Sequence, residues 1–82
     1  MKRSDLKLNR YASSFTKEVR LRRHFSQEQM AELLNISVRC YQAFEEERCG
    51  ISGQTLCRLL VLLTEEERAA FVGGLLTEVW PS

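Results

Sequence analysis

The stretch MAELLNISVRCYQAFEEE, residues 30–47, contains two short helix-like runs with only three residues between them. Asn35, Ile36 and Ser37 form the whole connection. Asparagine is one of the few non-glycine residues that accept a left-handed backbone conformation, and serine is a favoured first residue before a helix. The stretch therefore predicts two helices that meet at a sharp corner.

Small and apolar residues on both sides of this corner are spaced to hold the two helices together. Ala31 should lie where the helices cross, because its small side chain lets the backbones approach. Four larger apolar residues are expected to fix the angle: Met30, Leu34, Tyr41 and Phe44. Two helices at a large angle across a short turn form a helix-turn-helix, in which the second helix protrudes and presents its N-terminal end.

The rest of the chain also favours helices, and the sequence predicts an all-α fold with five helices in one domain, residues 1–82. No Asn-Gly or Asp-Gly turn lies between alternating apolar runs, which would indicate a β-hairpin. A basic N-terminal arm is expected over residues 1–12, four core helices over residues 13–63, and a fifth helix over residues 64–80.

Two capping boxes mark where helices begin. The first is SQEQ, which begins at Ser26 and has Gln29 in position to reach back to the chain before the helix. The second is TEEE, which begins at Thr64 and has Glu67 at the third helical position. We expect the second and fifth helices to start at these two boxes.

Apolar residues predict which helix faces are buried. The first helix should run from about residue 13 to residue 24, with three core-facing residues: Phe15, Val19 and Leu21. The fourth helix should begin at residue 52 or 53, and its nearly continuous apolar run, LCRLLVLL, predicts a central helix that is covered on several sides. Gly73 and Gly74 in the fifth helix each cost about 1 kcal/mol relative to alanine, and indicate either close packing or a bend.

Composition limits the class of protein. The chain has 82 residues, 44% of them hydrophobic, and no apolar run approaches the roughly 18–20 residues that span a bilayer. No apolar segment follows the charged N-terminus, so a cytoplasmic location and no membrane partner are expected.

Three cysteines cannot all pair, and without a fourth ligand at metal spacing they are expected to be reduced, half-buried residues. No metal site and no cofactor are predicted.

Charge is divided unevenly along the chain. Residues 1–43 carry nine basic and four acidic side chains, a balance of +5, whereas residues 44–82 carry three and seven, a balance of −4. Such a division favours a polyanion that meets the first half of the chain, although solubility alone can also produce it.

Residues 15–63 resemble the Cro/repressor-type (XRE-like) helix-turn-helix domain. The matching text is SQEQMAELLNIS followed by VRCYQAFE. In the family pattern these letters supply the Ser-Gln start of the second helix, the small residue at the crossing, the corner, the serine cap and the glutamate that ends the recognition helix. Asn35 stands where the family usually has glycine. The resemblance implies a compact lambda-repressor-like bundle that places its third helix in the major groove of double-stranded DNA.

The resemblance also implies roles for individual residues. Base contacts are implied for one side of the third helix: Ser37, Val38, Arg39 and Ala43. Gln42 on the flank of that side could pair with adenine, and a phosphate contact is equally consistent with its position. Gln27 would contact a phosphate and brace that helix. Arg20 and Glu45 match a family ion pair that joins the first helix to the third.

Chemistry supports one base contact that the resemblance implies, and charge suggests some phosphate contacts. Arg39 has the sharpest role, since arginine can donate a bidentate pair to guanine O6 and N7. Arg22 and Arg23 lie near the corner in sequence and are expected to touch phosphates, although a solvated helix face explains them equally well. We expect the chain to turn away after Glu45, because the acids that follow would otherwise approach DNA phosphates.

The sequence also bears on functions other than DNA binding. Catalysis is the poorest interpretation, because no nucleophile motif, phosphate-binding loop or cysteine–histidine pair is present. The serious alternative is a protein-interaction module, such as an antitoxin or a helix-turn-helix protein that binds another regulator. The apolar stretch FVGGLLTEVW, residues 71–80, is a candidate homodimer interface or protein-docking segment, or it packs on the domain's own core.

Overall fold

The computed structural model describes the backbone of residues 3–81 and the side chains of residues 6–81, and this part of the chain is helical with no strand. The elements, in order, are α1 Arg3–Arg22, α2 Gln27–Leu34, α3 Val38–Glu45, α4 Gly53–Leu62 and α5 Glu65–Gly74, and a π-helical turn, Leu75–Val79, that continues α5. The prediction of an all-α fold with five helices is confirmed.

The first helix is longer than predicted, and the expected basic arm over residues 1–12 is wrong for residues 3–12. α1 already begins at Arg3, whereas Met1 and Lys2 lie outside the described residues. No glycine or proline interrupts this segment, and Ala12 is buried against the core. Packing of this kind stabilises a helix that polar composition alone does not reveal.

The capping predictions are confirmed. The Ser26 and Thr64 side chains accept hydrogen bonds from the backbone N–H groups of Gln29 and Glu67, and both capping boxes are complete. The Ser52 side chain accepts a hydrogen bond from the Thr55 backbone N–H and caps α4, which begins at Gly53 as expected.

One core joins the helices. Its fully buried side chains are Val19, Met30, Leu34, Tyr41, Phe44, Leu59 and the hydroxyl-bearing Thr16. Thr16 Oγ1 donates to the Ala12 carbonyl oxygen at 2.7 Å, so this buried hydroxyl is satisfied. Leu21 was expected in the core, but it is 53% exposed because it lies on the outer side of α1.

The fourth helix is not covered on several sides, and that prediction is wrong. Leu59 is fully buried, but Val61 is 80% exposed. The apolar run therefore contributes one face to the core and leaves another in solvent. Leu33 of α2, 43% exposed, lies across a groove of about 440 Å³ from this outer face.

The two adjacent glycines of α5 differ, and close packing explains the second. A Cβ atom at Gly74 would lie 2.0 Å from Tyr11 Oη, whereas one at Gly73 would meet nothing within 4 Å. Tyr11 Oη donates to the Phe71 carbonyl oxygen at 2.8 Å. The ring of Tyr11 packs on that of Phe71 with centroids 5.4 Å apart. Gly74 therefore allows α1 to lie close to the end of α5.

All three cysteines are exposed and free, so the expectation that they are half-buried is wrong. Each lies on an outward-facing position of its own segment: Cys40 on α3, Cys49 in the following loop and Cys57 on α4.

Candidate functional site

The corner between α2 and α3 is formed by the three predicted residues. Asn35 has φ 59° and ψ 44°, which is the left-handed conformation expected from the sequence. The Ile36 backbone N–H donates to the Ala31 carbonyl oxygen at 3.0 Å and continues the bonding of α2 into the turn. Ser37 Oγ accepts a hydrogen bond from the Cys40 backbone N–H at 3.1 Å and caps α3. The direction in which α3 leaves the corner is therefore fixed by local bonds.

A buried ion pair holds the end of α3 against α1, as predicted. Arg20 Nε donates to Glu45 Oε2 at 2.6 Å, and Arg20 Nη2 donates to Glu45 Oε1 at 3.1 Å. The Arg20 Nη1 group donates to the Phe25 carbonyl oxygen at 3.0 Å. The two side chains are 11% and 4% exposed. A two-point pair of this kind fixes orientation as well as distance.

The Glu45 carboxylate receives two further donors. Tyr41 Oη donates to Oε2, and Gln27 Nε2 donates to Oε1 at 3.1 Å. Burial by itself raises the pKa of Glu45, but the hydrogen bonds from Arg20, Tyr41 and Gln27 outweigh it, so the pKa lies below its ordinary value. Glu45 is therefore charged at neutral pH. Burial and the hydrogen bond to Glu45 raise the pKa of Tyr41, which keeps its proton.

Gln27 connects this cluster to the surface of α3. Gln42 Nε2 donates to Gln27 Oε1 at 3.2 Å, while Gln27 Nε2 is bonded to Glu45. Both ends of the Gln27 amide are thus used, and Gln27 braces α3 as expected. We name Arg20, Gln27, Tyr41, Gln42 and Glu45 the anchor cluster.

The five residues predicted to face bases divide into two groups. Ser37, Val38 and Arg39 are exposed, whereas Gln42 and Ala43 are half-buried. Among residues 6–81, no ion pair or hydrogen bond engages the Arg39 side chain. The first turn of α3 therefore presents one unpaired guanidinium group on a helix whose other end is anchored.

Two carboxylates that were not predicted as part of the site lie beside this turn. Glu28 and Glu32, both exposed, line a shallow groove of about 420 Å³ together with Ser37 and Val38. Their four-residue spacing places them on one face of α2, which is the signal that could have revealed them. Their negative charges oppose phosphate binding along this groove, so beside the groove an anion is favoured at Arg39 and not at α2.

The chain turns away after α3, as expected. Glu46 ends the helix, and Glu47 has φ 61°, a left-handed conformation. Arg48 Nε contacts Glu46 Oε2 at 2.7 Å, and Arg10 Nε of α1 contacts Glu47 Oε1 at 3.1 Å. The acids after Glu45 are thus partly neutralised within the protein.

The two arginines predicted to contact phosphates lie against α5. Arg23 Nη2 contacts Glu67 Oε1 at 2.5 Å, and Arg23 Nη1 donates to the Leu62 carbonyl oxygen at 3.1 Å. Arg22 is more exposed and lies 3.7 Å from the same carboxylate. The backbone hydrogen bond from Thr64, with the nearby Arg23, lowers the pKa of Glu67. Arg23 therefore joins the C-terminal end of α1 to the start of α5.

No group of three or more potential metal ligands occurs in the described part of the chain. Within residues 3–81, none of the helices combines the length and apolar character needed to cross a membrane. Comparisons with protein-family models, curated proteins and solved structures found no match. The function is therefore inferred from the geometry of the chain's own residues.

Proposed function

We propose that this chain is a sequence-specific regulator that binds double-stranded DNA, with the α2–α3 corner acting as a helix-turn-helix in a lambda-repressor-like bundle. The observation that carries the proposal is the exposed first turn of α3, with unpaired Arg39, on a helix anchored at its other end. A helix that is exposed where it begins and fixed where it ends is suited to entering the major groove in one orientation.

Chemistry assigns a contact to each of the five residues predicted to face bases. Arg39 donates a bidentate pair to guanine, and Val38 and Ala43 offer only apolar contact, best matched by a thymine methyl group. Ser37 can bond either a base or a phosphate. Gln42 keeps its amide oxygen available beside Gln27. Both ends of the Gln27 side-chain amide are bonded within the anchor cluster, so Gln27 supports binding by bracing α3, and its predicted phosphate contact is left to the backbone N–H at the first position of α2.

A homodimer completes this proposal. One eight-residue helix reads few base pairs, and a two-fold dimer would read two half-sites about 34 Å apart. Exposed apolar residues near the C-terminus support this assembly: Val72, Leu76 and Trp80. A small dimer with these contacts would act as a repressor by occupying its site.

Selection of bound sequences from a random DNA pool tests the proposal directly. We expect a two-fold symmetric site with a guanine preference in each half, because Arg39 supplies the one strongly selective donor. Absence of binding to mixed DNA at about 50 mM salt, where phosphate attraction is strong, would contradict DNA binding altogether.

A protein-interaction module is the second candidate, and the groove between α2 and α4 favours it. Leu33 and Val61 line this groove, and Arg58, its one charged residue, has no ion pair among residues 6–81. A partner helix with apolar residues and one carboxylate to meet Arg58 would fit these features. Val61→Glu should abolish such an interaction and leave DNA binding unchanged, which separates the two functions.

A further inference from the structure

The first half of α1 lies beside the chain that leaves α3. Arg10 Nε donates to Glu47 Oε1 at 3.1 Å, and Glu47 is the second residue after the end of α3. The loop also approaches α1 at Gly50, where an added Cβ atom would lie 2.8 Å from Asn9 Oδ1. The start of α1 and the loop after α3 therefore form one edge of the molecule.

This edge carries basic groups that are unpaired, or paired only at the surface, within the described part of the chain. Lys7 and Arg10 are exposed and three residues apart, so they share one face of α1. No ion pair engages Lys7 within the part of the chain whose side chains are described. The Arg10–Glu47 pair is 79% and 45% exposed, and such a pair stabilises little, so Arg10 can exchange Glu47 for another anion.

At the C-terminal end of α1, the basic side chains lie beside a carboxylate of α5. Arg23 is only 24% exposed and already bonded to Glu67 and the Leu62 carbonyl oxygen. Arg22 lies next to the same carboxylate. Of these two ends of α1, only the N-terminal one therefore holds a described cation that has no ion pair, Lys7, whereas both arginines at the other end lie beside Glu67.

We propose that Lys7, Arg10 and Arg48 follow the phosphate backbone that borders the groove entered by α3. Their three positive charges exceed the two negative charges of Glu46 and Glu47 on the same edge. Arg48, 61% exposed and paired only with Glu46, lies in the loop directly after α3. This inference rests on the proposed DNA binding, and it transfers the phosphate contacts from Arg22 and Arg23 to the opposite end of α1.

The salt dependence of DNA binding tests this assignment. For each of the single variants Lys7→Gln, Arg10→Gln and Arg48→Gln, we expect the slope of log affinity against log salt to decrease by about one. Affinity at low salt should fall by about 3- to 10-fold on every sequence alike, since phosphates carry no sequence information. Lys17→Gln is the matched control, because Lys17 is an exposed lysine in the middle of the same helix.

The outcomes are distinguishable. Unchanged slopes in the Lys7, Arg10 and Arg48 variants, with a loss confined to Arg22→Gln and Arg23→Gln, would overturn the inference and leave the proposed function intact. Failure of the unmodified protein to bind any DNA would overturn both. Circular dichroism of the Lys7, Arg10, Arg48 and Lys17 variants at the assay temperature should match that of the unmodified protein, because these four side chains are exposed.

Discussion

Arg39 is the residue on which sequence selectivity is expected to depend. Arg39→Ala should relax the preference at one base position of each half-site, at a cost of about 1–3 kcal/mol against the preferred base. Gln27→Ala should instead weaken all sequences alike. Binding of the variants to a selected site and to its single-base mutants measures both effects. Unchanged affinity and preference in Arg39→Ala would show that α3 does not present this face to DNA.

Loss of the Glu45 carboxylate should strongly destabilise the fold. Glu45→Ala removes the partner of a guanidinium that is only 11% exposed, and an unpaired buried charge costs about 3–5 kcal/mol. Urea denaturation measures this loss. Glu18→Ala, an exposed position on α1, should change stability by less than about 0.5 kcal/mol. Similar midpoints for the two variants would contradict a stabilising role for the anchor cluster.

The same carboxylate predicts a dependence of stability on pH. The pKa of Glu45 is lowered in the folded protein from 4.5, so the unfolded state binds its proton more readily. The contribution of ionised Glu45 to the free energy of unfolding is fully present above pH 4.5. It is lost as the pH falls through the lower pKa of the folded state. The pKa of Glu67 is also lowered in the folded protein, so its ionisation likewise stabilises the fold above pH 4.5 and less so in acid.

Glu45→Gln should therefore lower stability at pH 7 and make the acid limb of the stability curve shallower. Denaturant midpoints between about pH 5 and pH 2 measure this limb. An acid limb as steep as that of the unmodified protein would mean that other carboxylates dominate acid unfolding.

At the scale of helices, the two glycines of α5 offer a matched pair of substitutions. Gly74→Ala places a methyl group against Tyr11 and should destabilise by about 1–3 kcal/mol, because the contact at 2.0 Å forces α1 or α5 to move. Gly73→Ala meets open space and should stabilise the helix by up to about 1 kcal/mol. Thermal unfolding of the two variants should therefore shift in opposite directions, and equal shifts would contradict the packing described for Gly74.

Local sequence signals correctly predicted the capped helix starts and the turn, but they did not predict which helix faces are buried by other helices. Ser26, Asn35 and Thr64 were interpretable because a cap or a left-handed turn needs only nearby residues. The early start of α1 and the exposure of Val61 depend on which helices lie alongside, and no local pattern records this. The Arg20–Glu45 pair was predicted only through a family resemblance, because its partners are 25 residues apart.

In the candidate site, too, features set by neighbouring residues were predictable and contacts between distant segments were not. The exposed turn Ser37–Arg39 follows from the corner, and residues in the corner are close in sequence. The contact between Arg10 and Glu47 and the engagement of Arg23 by Glu67 join distant segments. Phosphate contacts could therefore not be assigned from charge alone.

For the whole molecule, we predict a homodimer through the C-terminal segment. Leu76 is 63% exposed and Trp80 is 50% exposed, and two copies could cover them mutually. Sedimentation equilibrium should give twice the 9.5 kDa mass of one chain. Leu76→Glu should return the protein to a monomer.

Val61→Glu is the control for this experiment, because Val61 is an even more exposed apolar residue that lies on α4. A monomer at high concentration, with and without DNA, would eliminate the dimer. Dissociation by Val61→Glu rather than by Leu76→Glu would move the interface to the outer face of α4.

The location of the chain's one tryptophan has a practical consequence. Trp80 follows the π-helical turn and lies outside the buried core. Its fluorescence emission should therefore report on the solvation of the C-terminal end, and shift to the blue if a second chain covers it. Emission spectra recorded over a concentration series offer a label-free reading of association, while the melting of the core needs a separate optical signal, such as the ellipticity of the helices.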